Sequence, residues 1–153
     1  MLTAIKDSKI DITFEKSTKE LAEKLTSYLN GGEYIFLYGE MGVGKTTFVK
    51  HFINKYQTDE KLKLTEVTSP TFNLMNEYKT NNFIIKHYDL FRIKNSSEIQ
   101  ELDIFEKNKK IITLVEWPEL LKNNNKAKSI DLLFKYKNKL KNRTVEIKGL
   151  NSF

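Results

Sequence analysis

The chain has no cysteine. Disulfides and thiolate metal sites are therefore excluded, and a cytoplasmic location is the simple expectation. It also has no apolar run near the roughly 18 residues that a membrane-spanning helix needs. The first nine residues, Met1 to Lys9, lack the apolar core of a secretory signal. Arginine occurs only at Arg92 and Arg143. That is a thin supply for a small-molecule kinase, whose mobile lid usually carries several. No Asn-Lys-x-Asp sequence is present, so the guanine-reading motif of GTPases is missing and adenine is the expected base. Proline appears only as Pro70 and Pro118.

What is present is a chain of 153 residues, 39% hydrophobic and 30% charged. That suits one globular domain over residues 1–153 with a full core. The net charge of +6 is unevenly placed: Lys122 to Lys148 holds nine Lys or Arg against Asp131 and Glu146. Such a segment can track nucleic-acid phosphates. The favoured account of it is a solvated surface in a chain rich in Lys and Asn throughout.

The most informative stretch is Gly39-Glu40-Met41-Gly42-Val43-Gly44-Lys45-Thr46. It fits the phosphate-cradling pattern of Gly, four residues, Gly, Lys, then Ser or Thr. At ordinary residue frequencies that pattern starts by chance at about one position in tens of thousands. The flanks agree with it. Tyr34 to Tyr38 is an unbroken apolar and aromatic run, as in a strand covered on both faces. Phe48, Val49, Phe52, Ile53 and Tyr56 follow as one helical stripe. The glycines let phosphate oxygens approach backbone N–H groups at a helix N-terminus. Lys45 brings charge to the β and γ phosphates, and Thr46 offers a hydroxyl to Mg2+.

Other elements follow from periodicity. Ile10, Ile12 and Phe14 predict a half-buried edge strand. Ser17-Thr18-Lys19-Glu20 reads as a capping box for a helix carrying Leu21, Ala22, Leu25, Tyr28 and Leu29, stopped by Gly31-Gly32. Phe72 to Lys79 and Phe83 to Tyr88 read as strands joined at Thr80-Asn81-Asn82. Ser96 or Ser97 is expected to cap a short helix with Ile99 and Leu102. Ile111 to Val115 is a second buried-strand run, ending in Glu116-Trp117-Pro118. Pro118 suits the first turn of a helix, with Asn123 to Asn125 ending it. Ile130 to Tyr136 and Val145-Ile147 predict a closing hairpin.

A phosphate loop needs a metal-positioning acid at the end of a neighbouring strand. Glu116 follows the cleaner apolar run; Asp89 follows a shorter one interrupted by Lys86 and His87. On pattern alone Glu116 is preferred, with helix capping as its competing role. His87 is equally well read as a structural imidazole, and Trp117 as core. Asp89 and Arg92 fit a surface ion pair. Thr68-Ser69-Pro70-Thr71-Phe72 is either an ordinary turn or a hydroxyl-bearing switch.

Four blocks in order resemble the TsaE (YjeE) family of bacterial P-loop ATPases. They are Leu37 to Phe48, Thr68 to Leu74 with Glu77-Tyr78, His87-Tyr88-Asp89-Leu90-Phe91-Arg92, and Leu114 to Pro118. The resemblance spans nearly the whole chain. It implies a three-layer α/β P-loop NTPase fold, with a mainly parallel central sheet plus antiparallel strands. It implies ATP and Mg2+ as cofactors and an ATPase, slow alone, that supports the TsaD–TsaB threonylcarbamoyl-transfer complex modifying tRNA. By residue, it puts Gly39, Glu40, Met41, Gly42, Val43, Gly44, Lys45, Thr46 and Thr47 on ATP. Arg143 joins them by a looser match, and Ser17 and Thr18 match loosely to an N-terminal contact. It gives Lys45, Asp89 and Glu116 catalytic roles, puts Thr46, Asp89 and Glu116 at the metal, and makes Ser69 and Thr71 a switch. Both acids are thereby retained. Glu40 departs from a more usual Asp, Phe91 from a Tyr, and Asp103 from a Gly. Two other readings stay open: a nucleotide-dependent tRNA-binding adaptor using the basic segment, and a small-molecule kinase.

Overall fold

The computed structural model describes residues 9–70, 74–121 and 129–150. Its elements are β1 (Lys9–Asp11), α1 (Glu15–Thr26), β2 (Tyr34–Tyr38), α2 (Lys45–Asp59), β3 (Met75–Lys79), β4 (Ile84–Asp89), α3 (Ser96–Glu101), β5 (Ile111–Glu116), a 3-10 turn (Pro118–Leu121), β6 (Ser129–Lys137) and β7 (Asn142–Lys148). The strands form one mixed sheet in the order β1-β7-β6-β2-β5-β4-β3. β6, β2, β5 and β4 are mutually parallel. β7 and β1 extend one side and β3 the other, each by antiparallel pairing. No helix among the described residues is long and apolar enough to cross a membrane.

Alternation along β2 shows why the sheet needs covering on both faces. Ile35 and Leu37 join the cluster built by Leu21, Ala22 and Leu25 of α1 and Phe48, Val49, Phe52 and Ile53 of α2. Tyr34 and Phe36 point the other way, to Tyr88, Leu90, Ile93, Ile99 and Leu121 beside α3 and the 3-10 turn. The result is the expected three layers. Each fully buried Leu, Ile or Phe contributes about 1.5–3 kcal/mol of transfer free energy, so both faces are tied to the sheet. The same parity puts Ile85, Ile112 and Leu114 on the α2 side. His87 and Glu116, each two residues beyond, face that side too.

Several expectations need correction. No capping box forms: α1 starts at Glu15, its N-cap is Phe14, and no side chain caps it. Ser17 N already bonds Phe14 O, so Ser17 and Thr18 lie within the helix. Phe14 is 76% exposed, although Ile12 is buried as the alternation required. α1 ends at Thr26, before Gly31-Gly32; those glycines, at φ 104° and 87°, instead turn the chain into β2. The cap of α3 is Asn95, whose side chain accepts from Glu98 N at 3.2 Å. The β3–β4 and β6–β7 hairpins form as read. β6 also pairs in parallel with β2, which alternation alone does not reveal. Phe72, Asn73 and Asn123 to Asn125 lie outside the described residues.

Candidate functional site

The carboxyl ends of β2, β4 and β5 lie side by side. Asp89 and Glu116 are directly paired across the β4–β5 ladder, and Leu37 pairs with Glu116 across β2–β5. Ligands of parallel sheets bind beyond these ends. A cleft of about 370 Å3 opens there, and its lining includes Gly42, Lys45, Thr46, Asp89, Glu116 and Arg143. Met41, Gly44, Thr47 and Ser69 also line it, while Gly39, Glu40 and Val43 do not. Thr71 lies outside the described residues. Ser17 and Thr18 are not in the lining.

The loop has the geometry its glycines allow. Gly39, Gly42 and Gly44 have φ of 147°, 82° and 115°, values that L side chains resist. Gly44 is the N-cap of α2, so the loop delivers the free N–H groups of the helix start to the cleft. A Cβ on Gly42 would meet the Tyr136 hydroxyl at 3.3 Å, and one on Gly44 the Arg143 guanidinium at 3.7 Å.

Lys45 is buried, and its ammonium donates to the Gly39 carbonyl. It also sits 3.8 Å from the centroid of the Trp117 ring. Burial lowers the Lys45 pKa, against the opposing pull of Glu116, Asp89 and Glu119. The Thr46 hydroxyl lies 2.9 Å from Ser69 Oγ and 3.4 and 3.5 Å from the two Glu116 oxygens. Glu116 Oε2 is 2.7 Å from His87 Nε2. Burial raises the Asp89 pKa, the Glu116 charge adds to that, and the Phe91 N–H bond to Asp89 opposes it. Asp89 and Arg92 form no ion pair.

Arg143 reaches the site through topology. β7 runs back against β6, so its second residue falls at the carboxyl edge of the parallel strands. β1 then brings Thr13 beside it: Arg143 Nη2 donates to Thr13 O at 2.8 Å, and Arg143 N to Thr13 Oγ1 at 3.1 Å. Trp117, read from the sequence as core, borders the site together with Phe91 and Tyr136, neither of which the sequence assigned to it. Trp117 has φ 59°, a sharp turn after β5 that lays its ring between Lys45 and Phe91, whose ring centroid is 4.9 Å away. The signal available was its place directly after Glu116.

The donor set fits Mg2+. A hydroxyl and two carboxylates on adjacent strands are hard oxygen ligands, and Mg2+ is commonly held by one or two carboxylates with phosphates and waters completing the shell. Among the described residues no group of three or more His, Asp or Glu forms a closed cage.

A family model described as "Threonylcarbamoyl adenosine biosynthesis protein TsaE" matches residues 12–145. A protein of Rickettsia bellii named tRNA threonylcarbamoyladenosine biosynthesis protein TsaE is 40% identical over 116 residues, 76% of this chain and 78% of the relative. A Rickettsia felis protein of the same name is 41% identical over 71% of this chain, which spans only 61% of that relative's length. The crystal structure of YdiB from Bacillus subtilis superposes with a TM-score of 0.70 at 22% identity, covering 93% of this chain and 84% of YdiB. That last likeness speaks to the fold. From the family match and the Rickettsia bellii relative together, the chain belongs to the TsaE family.

Proposed function

We propose that the protein binds ATP with Mg2+ at this cleft, hydrolyses it slowly alone, and serves tRNA threonylcarbamoyladenosine biosynthesis by acting on a TsaD–TsaB transfer complex. The observation that carries the ATPase half is the convergence, from distant parts of the chain, of the loop lysine, the Thr46 hydroxyl and two paired strand-end carboxylates. The biosynthetic half rests on the names of the relatives.

The residues divide the work in a definite way. Loop N–H groups at the start of α2 hold phosphate oxygens. Lys45 leaves the Gly39 carbonyl and the indole to meet the β and γ phosphates. Thr46, Asp89 and Glu116 would hold the metal, and the two paired acids would also orient a water. Bound Mg2+ would supply charge neutralisation on the phosphates. Arg143, held by Thr13, adds positive charge beside Gly44.

The test is ATP turnover with and without the TsaD–TsaB pair, for wild type, Lys45→Ala and Glu116→Ala. Stimulation by the partners and its loss in both variants is expected. Unchanged turnover with partners, together with multiple-turnover tRNA modification proceeding without this protein, would refute the reading. Salt-dependent tRNA binding by the protein alone, insensitive to ATP, would favour the adaptor role of the basic segment instead.

A further inference from the structure

His87 is 0% exposed and sits in the middle of the α2-facing side of β4. Its two ring nitrogens are used very differently. Nε2 lies 2.7 Å from Glu116 Oε2, whereas Nδ1 is buried with no hydrogen-bond partner among the described residues. An N–H buried without an acceptor costs about 1–3 kcal/mol. A bare lone pair is the lesser loss, so the ring proton belongs on Nε2, and His87 donates to Glu116.

That bond is the only short one among the contacts of the Glu116 carboxylate described above. Its others, to the Thr46 hydroxyl, are 3.4 and 3.5 Å, too long to fix a rotamer. We propose that His87 is a positioning residue: by donating from Nε2 to Glu116 Oε2 it fixes the carboxylate with both oxygens turned toward the Thr46 hydroxyl, at 3.4 and 3.5 Å, leaving Oε1 free for a metal in the cleft. This rests on the ATPase reading above. The imidazole here supports a ligand rather than being one, the outer-shell role that commonly decides how well a carboxylate serves a metal. The strand register explains how it arises. His87 stands opposite Leu114 and Asp89 opposite Glu116, so two residues along the ladder, the repeat of one face, separate the imidazole from the carboxylate it holds.

The wild-type protein gives the first readout. It has two histidines, His51 and His87, and His51 is partly exposed against Glu15, so their 15N imidazole spectra are separable. His87 is expected as the Nε2–H tautomer; an Nδ1–H tautomer overturns the proposal. The second readout is the Mg2+ concentration that half-saturates ATP binding. His87→Leu is expected to raise it about 10- to 100-fold, and His87→Gln, which keeps a donor near the Nε2 position, to stay within about threefold of wild type. Nucleotide affinity without metal is expected to stay unchanged in both. If the leucine variant keeps the wild-type Mg2+ response and loses only thermal stability, the imidazole is core filling and the proposal is wrong. If it does not fold, a folded His87→Gln protein decides: a Mg2+ response lost there overturns the proposal. A wild-type protein whose ATP binding ignores Mg2+ overturns the ATPase reading and this proposal together; equal responses in all variants of a responsive wild type overturn this proposal alone.

Discussion

Lys45 Nζ lies 3.8 Å from the centroid of the Trp117 ring and donates to the Gly39 carbonyl, so the lysine proposed to meet phosphate is already engaged. A desolvated contact of this kind is worth about 0.5–2 kcal/mol, and phosphates must displace it. Trp117 is the only tryptophan, so its emission is expected to change on ATP binding. Trp117→Leu is expected to tighten ATP binding about two- to tenfold by releasing Lys45. Direct calorimetric titration checks this, and weaker binding in the variant would contradict it.

The 2.9 Å contact between the Thr46 and Ser69 hydroxyls links the proposed metal ligand Thr46 to the Ser-Pro loop. If Thr46 turns to a metal, Ser69 is released, which is how the loop can register nucleotide. Ser69→Ala removes about 0.5–1.5 kcal/mol of hydrogen bonding from the free protein. It is expected to leave ATP affinity within about threefold and to reduce partner-stimulated turnover, measured in parallel. Stimulated turnover equal to wild type argues against a switch.

Two adjacent glycines offer a test of the turn that feeds β2. A Cβ on Gly31 would stand 1.8 Å from the Lys109 carbonyl oxygen, at φ 104°. One on Gly32, at φ 87°, meets nothing closer than 3.6 Å. Gly31→Ala is therefore expected to cost more than about 4 kcal/mol, which only backbone clash or comparable damage produces. Gly32→Ala is expected to cost about 1–2 kcal/mol, the left-handed penalty alone. Urea melts of the two variants separate these values, and equal losses would disprove the clash.

Burial pushes the hydroxyls of Tyr38 and Tyr88 up to about 12, aided by Asp131 and Glu119 at the first and mainly by Asp103 and Glu106 at the second. A folded pKa above the ordinary value of 10 favours the native state of the neutral phenol. That stability is present below pH 10 and is lost as pH climbs from 10 toward 12. Denaturation midpoints are expected to fall through this window in step with tyrosinate absorbance. Tyr88→Phe is expected to shrink the fall, at a neutral-pH cost of about 1 kcal/mol for the lost bond to the Leu102 carbonyl. An unaltered alkaline loss in that variant would place the effect elsewhere.

The phosphate loop and strands β2 and β5 were legible because their signals are local. A glycine spacing and an unbroken apolar run need no knowledge of neighbours. Asp89 and Glu116 could be ranked but not paired, because their adjacency depends on β4 lying beside β5 in parallel. His87 was evenly balanced for the same reason: its partner is 29 residues away. The capping-box reading failed because the Ser17-to-Glu20 pattern was satisfied by residues one turn inside a helix that had begun at Glu15. The departure at Asp103 resolves locally. Its φ of 50° is the left-handed conformation a glycine adopts freely and Asp tolerates better than most residues.

The β6–β7 turn carries Asn138, Lys139 and Leu140 at φ 51°, 53° and 73°. These three left-handed residues fix which residue of β7 stands opposite Tyr136, and that residue is Arg143. A slip of one position would turn the guanidinium to the far side of the sheet, away from Gly44. A solvent-facing bend whose own residues stay out of the cleft lining thus acts as a vernier for the charge of that cleft, and changes to its length there are changes to the site.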